Sequence, residues 1–293
     1  MKRWLCVVLL VLGGREMTYG QVKFSLNPLD AAFVTRDYDK FWQVFDKLDS
    51  TNGNPFGEYL DNASEGLKPF VDYLDVEQLY QTVLTRKQDY LKSRHILNDL
   101  ESKSKRVRAS YAALKFWYPE AKFPPVYFIM GRFTSGGTAS ENGLIVGTEM
   151  LESLDGLVGL IAHELIHYQQ DLSGNNSLLE QAIAEGSADF IGELISGEHI
   201  NLVPFRYGTE HEERLCREFV DIMTTDKYTD WLYGTSGKDD RPNDLGYWMG
   251  YKISEAFFAK QEDKKHAIHE ILNFKDSLTF VKQSGYLDRF MAK

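Results

Sequence analysis

Leu157-Val-Gly-Leu-Ile-Ala-His163-Glu164-Leu-Ile-His167-Tyr-Gln-Gln170 and, past Gly174-Asn175, Ser177-Leu-Leu-Glu180-Gln-Ala-Ile-Ala-Glu185-Gly-Ser-Ala-Asp189-Phe-Ile-Gly192 are the two stretches on which the reading of this chain turns. In the first, Leu157, Ile161 and Leu165 form an apolar stripe, and a helix is predicted from about Ser153 to Gln170. Gly174 and Asn175 end it in the manner of a helix C-terminus. Ser177 and Glu180 have the spacing of a capping box, which opens a second helix reaching about Ile195. Residues four apart on a helix share a face, with Cβ atoms about 5–6 Å apart. Two imidazoles at that spacing, His163 and His167, can therefore converge on one metal ion at Zn–N distances of about 2.0–2.1 Å. Glu164 lies beside His163 and faces the same cleft, where it can take a proton from metal-bound water.

The five-residue motif is not decisive alone. With 7 histidines in the chain, a chance match is expected on the order of once per hundred such sequences. Context adds weight. The turns before it, Leu157 to Ala162, are almost wholly apolar, which places the histidines at the edge of buried structure. Glu185 follows on the next helix. Three protein ligands leave a fourth position open, the pattern of a catalytic zinc site rather than a structural one. Asp189 stands one helical turn beyond Glu185 and is suited to accept a hydrogen bond from the free ring nitrogen of a ligand histidine. The competing reading is a solvated acidic face. Ile183, Ala184, Ala188, Phe190 and Ile191 argue against it, because a carboxylate in such surroundings needs a partner.

His163-Glu-Leu-Ile-His167 followed by Glu185-x-x-x-Asp189 resembles the gluzincin metallopeptidases, the group that includes thermolysin. His-Tyr-Gln-Gln after the first motif, with Glu-Gly-x-Ala-Asp later, is similar to predicted zinc-dependent proteases exported by bacteria. The resemblance covers about residues 125–255. It implies a zincin-like fold with a small sheet packed on the active-site helix, and one catalytic Zn2+ held by His163, His167 and Glu185. It also implies Glu164 as general base and a peptide or protein as substrate. Gluzincins place a Tyr or His opposite the zinc. Tyr247 and Tyr251, on one face of a helix predicted at 245–260, are the candidates here, with Tyr251 ahead. Aromatic packing is the competing reading for both. His211 is a further candidate with the look of a surface histidine. A non-catalytic zinc- or peptide-binding protein on the same scaffold is the alternative function.

The rest of the chain frames this core. Residues 21–118 read as a helical region, with Phe41, Phe45 and Leu48 in one segment, Val76, Leu79 and Leu84 in the next, and a break at Asn52-Gly53-Asn54-Pro55. The texture changes at Phe123-Pro124-Pro125, and 119–293 reads as the catalytic region, although 21–293 can also be one continuous domain. Val126–Met130 is predicted as a buried strand, 134–140 as a flexible stretch, and Leu144–Val146, after the Asn142-Gly143 turn, as a second strand. Helices are predicted at 209–224, at 245–260 and beyond 263. Strands followed by helices without βαβ alternation make this a mostly helical α+β chain.

Residues 1–20 read as a signal peptide: Lys2 and Arg3, then an apolar run from Trp4 to Leu12, then small residues at Thr18 and Gly20. An exported protein, periplasmic or extracellular, is expected, with no membrane attachment after processing. Removing the segment takes the net charge from −10 to −12. An acidic chain without a basic cluster argues against nucleic-acid binding. Cys216 alone would remain, so no intramolecular disulfide is expected. A buried thiol is favoured for it over a nucleophile.

Overall fold

The computed structural model describes residues 24–50, 53–172, 174–233 and 241–291. The predicted signal peptide lies outside the described residues. In chain order, the elements used below are β1 (Phe33–Val34), α1 (Arg36–Phe45), α2 (Val76–Thr85), α3 (Leu100–Trp117), β2 (Val126–Ile129), β3 (Gly137–Ser140), β4 (Gly143–Gly147), α4 (Leu157–Gln169), α5 (Leu178–Ser196), α6 (Leu202–Glu210), α7 (Glu212–Ile222) and α8 (Leu245–Lys260). The chain is mostly helical with one small sheet, the α+β class expected from its pattern. It falls into two compact units. One runs to Ala109 and resumes over Lys122–Glu164; the other takes Ser110–Ala121 and everything from Leu165 onward.

The first unit holds a mixed four-stranded sheet in the order β1-β2-β4-β3. β2 runs parallel to both β1 and β4, and β3 is antiparallel to β4. β2 and β4 are buried along their whole length, which explains why they read as continuous apolar runs rather than alternating ones. Two features depart from expectation. The Gly-rich stretch predicted to be flexible contains β3, because the turn at Asn142-Gly143 folds it back onto β4 with Thr138 opposite Ile145. Gly143 adopts φ +149°, and a Cβ there would run into the carbonyl oxygen of Pro125. β1 lies inside the region predicted to be helical; a strand of two residues is too short to carry a period.

An aromatic cluster ties the N-terminal helices of this unit to the sheet. The ring of Phe41 on α1 lies 5.3 Å from Phe56, 5.5 Å from Tyr59 and 5.3 Å from Tyr90. The Tyr59 hydroxyl donates to the Met130 carbonyl at 3.1 Å, and that of Tyr90 to the Gly131 carbonyl at 2.6 Å. Both bonds fix the chain just past β2. There the buried Glu149 accepts from the Phe133 N–H at 3.1 Å. Burial pushes its carboxyl up to about 7, against the opposing pull of backbone N–H groups and Arg86.

In the second unit, α5 and α8 cross at backbone contact. A Cβ on Gly186 would collide with the Tyr251 nitrogen, and one on Gly250 with the Ala182 carbonyl. The helix predicted at 209–224 is α7, Glu212–Ile222; the first two predicted residues belong to the end of α6, a helix the sequence reading missed, and the two meet at His211 with φ −120°. Cys216 on α7 is buried, and burial raises its thiol to about 11. It is therefore neutral at physiological pH and serves packing, not nucleophilic attack.

Gly250→Ala is expected to cost about 3 kcal/mol or more, because backbone rather than a movable side chain must give way. Gly57→Ala, with open space around its Cβ, should be neutral or slightly stabilising; chemical denaturation of both variants checks the contrast. Glu149 supplies a second test. Its folded-state value is raised from 4.5 to about 7, so the folded chain holds the proton more tightly, and stability falls as pH rises through that window. Glu149→Gln should gain up to about 3 kcal/mol over the wild type at pH 8 and show no such gain at pH 4, measured by urea unfolding at both.

Candidate metal centre

α4 carries His163 and His167 one turn apart, the first 1% exposed. α5 carries Glu185, also 1% exposed. One ligand atom from each of the three lies within 4.8 Å of the others. The turn between the helices is built by the residues expected to form a capping box, with one change. The Ser177 hydroxyl accepts from the Glu180 N–H at 3.2 Å, as such a box requires. The Glu180 carboxylate instead accepts from the N–H groups of Gly174 at 2.6 Å and Asn175 at 3.1 Å. It thereby closes the loop that brings α5 back beside α4.

The hydrogen bonds around His167 define its chemistry. The Gln170 amide donates through Nε2 to the Ala184 carbonyl at 2.7 Å and to the Ser187 hydroxyl at 3.0 Å. Its Oε1 is therefore the atom facing His167 Nδ1, at 2.8 Å. Nδ1 must donate in that contact, which leaves the lone pair of a neutral ring on Nε2. Nε2 lies 3.2 Å from Glu185 Oε2. Two acceptors thus face each other in a buried place. A single proton can bridge two such atoms; an ion can serve all three ligands. Tetrahedral ligands at about 2.0–2.2 Å from zinc lie about 3.3–3.5 Å from one another, close to the separation seen. Two imidazoles and one carboxylate are also a donor set that suits zinc.

Glu164, between the two histidines in sequence, is 1% exposed. Its carboxylate lies over β3: a Cβ on Gly137 would come within 2.6 Å of Glu164 Oε1. The absence of a side chain at Gly137 is what admits the carboxylate there.

Residues 129–278, just over half of the chain, match the family described as Predicted Zn-dependent protease (DUF2268). The chain belongs to that family. No curated protein and no solved structure matches it.

The matched segment of this zinc-dependent protease family holds both motifs, and the structure brings His163, His167 and Glu185 together from them. It places the other predicted residues as follows. Asp189 is buried and accepts from the Asn201 amide at 2.7 Å. The Tyr251 hydroxyl donates to Glu193 Oε2 at 2.9 Å, and its ring stacks on His199. Burial, then the Glu193 carboxylate, holds that phenol well above its usual range. Tyr247 is buried on α8. His211 stacks on Tyr207 where α6 meets α7.

Two residues at the centre escaped the sequence reading. Gln170 sits three positions after His167, a helical neighbour whose spacing could have marked it. Tyr233 had no such signal, being 48 residues beyond Glu185. Its hydroxyl donates to Glu185 Oε1 at 2.9 Å. Its backbone takes φ +54°, held by the Tyr233 N–H bond to Asp244 Oδ1 at 3.1 Å. A non-glycine residue in that region costs on the order of 1 kcal/mol and is retained where surrounding contacts fix it.

With Oε1 accepting from Tyr233, Glu185 presents Oε2 to His167 Nε2. Tyr233→Phe should lower zinc affinity about 10–100-fold with little change in the fold, read by competition with a chromogenic chelator and by circular dichroism. Unchanged affinity would show that the hydroxyl does not orient the ligand.

Proposed function

We propose that this chain is an exported zinc metallopeptidase of the gluzincin type, with a zincin-like fold, acting on peptide or protein substrates in the periplasm or outside the cell. The observation that carries the metal assignment is the convergence of His163, His167 and Glu185, one ligand atom from each lying within 4.8 Å of the others. Export rests on the signal-like residues 1–20. Peptidase activity rests on the family and on the presence of a carboxylate, Glu164, beside the ligand set.

His163, His167 and Glu185 would hold the zinc. When bound, the metal supplies Lewis acidity, lowering the pKa of water from 15.7 toward about 7 and polarising the scissile carbonyl. Glu164 accepts the proton from the attacking water and returns it to the departing amine. Gln170 keeps the His167 ring in the tautomer that offers Nε2, and Tyr233 keeps Glu185 in the orientation that offers Oε2. Asp189, one turn beyond Glu185, adds a second buried carboxylate behind the ligands. β3 ends the sheet among the described residues. An extended peptide can pair along it by main-chain hydrogen bonds, as strands add to a sheet edge. Gly137 leaves room there for Glu164.

Glu164→Gln is the decisive variant. It preserves shape but removes the base, since one acceptor oxygen becomes an NH2 donor. Zinc content should stay at the wild-type level while peptide turnover falls by about 10²–10⁴-fold. Full turnover with zinc retained would overturn the role of Glu164. Turnover in the wild type that survives complete removal of zinc by a chelator would overturn the metal mechanism itself.

A further inference from the structure

A cavity of about 50 Å³ lies in the first unit, against the face of the sheet opposite Glu164. The strand register defines the two faces. Gly137 and Val146 share one face, and Gly137 is the residue that packs on Glu164. Thr138 and Ile145 share the other, and both line the cavity. Phe70, Tyr73 and Leu74 close it from the N-terminal region. Tyr73 is 43% exposed, so this wall reaches solvent.

Glu149 is the one carboxylate lining this cavity, and it is 6% exposed. Its Oε1 is engaged by the Phe133 N–H. Its Oε2 is buried and has no hydrogen-bond partner among the described residues. A buried carboxylate oxygen without a donor costs free energy, and such an atom in a native protein calls for an explanation. The cavity offers one: a ligand group that brings the donor.

A peptide paired along β3 projects consecutive side chains to opposite faces of the sheet. One falls on the side of Glu164. Its neighbour falls on the side of Thr138 and Ile145, where the cavity lies. The size of the cavity suits a short side chain. Even a benzene-sized ring occupies an engineered cavity of about 150 Å³. The walls are mostly apolar, and the acceptor sits among them. A side chain with a short apolar body and one hydroxyl answers both demands.

We propose that this cavity is the specificity pocket for a threonine or serine side chain of the substrate, next to the scissile bond, with Glu149 Oε2 accepting from its hydroxyl. The inference rests on the peptidase reading above. It also gives the N-terminal region a task, since Phe70, Tyr73 and Leu74 set the depth of the pocket.

Zinc-loaded full-length protein incubated with a peptide library, with products read by mass spectrometry, tests it. Cleavage sites should show threonine and serine enriched at one position beside the scissile bond. In matched peptides, threonine should exceed its isostere valine at least tenfold in kcat/KM. In Glu149→Gln the amide oxygen keeps the Phe133 N–H bond and an NH2 donor takes the place of Oε2, so at pH 8, where the wild-type carboxyl is ionised, that ratio should fall at least threefold. Melting curves and zinc content confirm that the variant is folded and loaded. Tyr73→Ala, at an exposed position, should admit larger side chains at the same position. A library cleaved with no preference for small hydroxyl residues, or a threonine-to-valine ratio unmoved by Glu149→Gln, overturns the pocket and leaves the peptidase reading standing. A structural cavity filled by water gives that result. No cleavage by zinc-loaded wild type overturns the peptidase reading and the pocket with it.

Discussion

A lone pair on an imidazole nitrogen and a carboxylate oxygen repel unless something positive lies between them. His167 Nε2 and Glu185 Oε2 stand 3.2 Å apart, a separation that a bridging proton or a metal ion satisfies. The elements around them hold that approach. Glu180 closes the Gly174-Asn175 turn so that α5 returns beside α4. Gln170 bonds α4 to the backbone of α5 while orienting the ring. Tyr233 takes a left-handed backbone conformation to reach the far oxygen of Glu185. The glycines at 186 and 250 let α8 press on α5 at backbone distance, immediately behind the ligand carboxylate. Together these features hold three donor groups around one point.

The base is positioned by a different device. Glu164 is fixed on α4 by the motif, but the space for its carboxylate is made by a missing side chain on β3. A glycine in a strand interior weakens the strand and marks a close approach. Here the approach is that of the group proposed to move the proton. The same short strand ends the sheet among the described residues, where the proposed peptide substrate would pair.

The N-terminal helices, which carry no chemical motif, have a physical role of their own. Phe41, Phe56, Tyr59 and Tyr90 form an aromatic cluster that hydrogen-bonds to the end of β2 through two phenols. That anchorage fixes the loop over Glu149. A carboxyl pushed up to about 7 by burial is a cost to folding, and it is placed in the cavity proposed to take a substrate side chain.

The amino-acid order brought the candidate ligand histidines together, because a helical repeat converts spacing directly into proximity: His163 and His167 meet for no reason beyond four residues of α-helix. It also determined the existence of α5 and α8 and the two buried strands, whose apolar runs are long enough to read. Glu185 was legible because an apolar setting makes a lone carboxylate conspicuous. Tertiary structure decided the rest. Tyr233 and Glu149 owe their roles to chain segments far from the motifs, and nothing local marks them. β3 forms because β4 lies beside it, since of Gly-Thr-Ala-Ser only Thr138 favours a strand. Tyr251 has the residue type and spacing of an active-site hydroxyl, yet its bond to Glu193 depends on where α8 crosses α5, a geometry set by two glycines and invisible to any pattern of spacing along the chain.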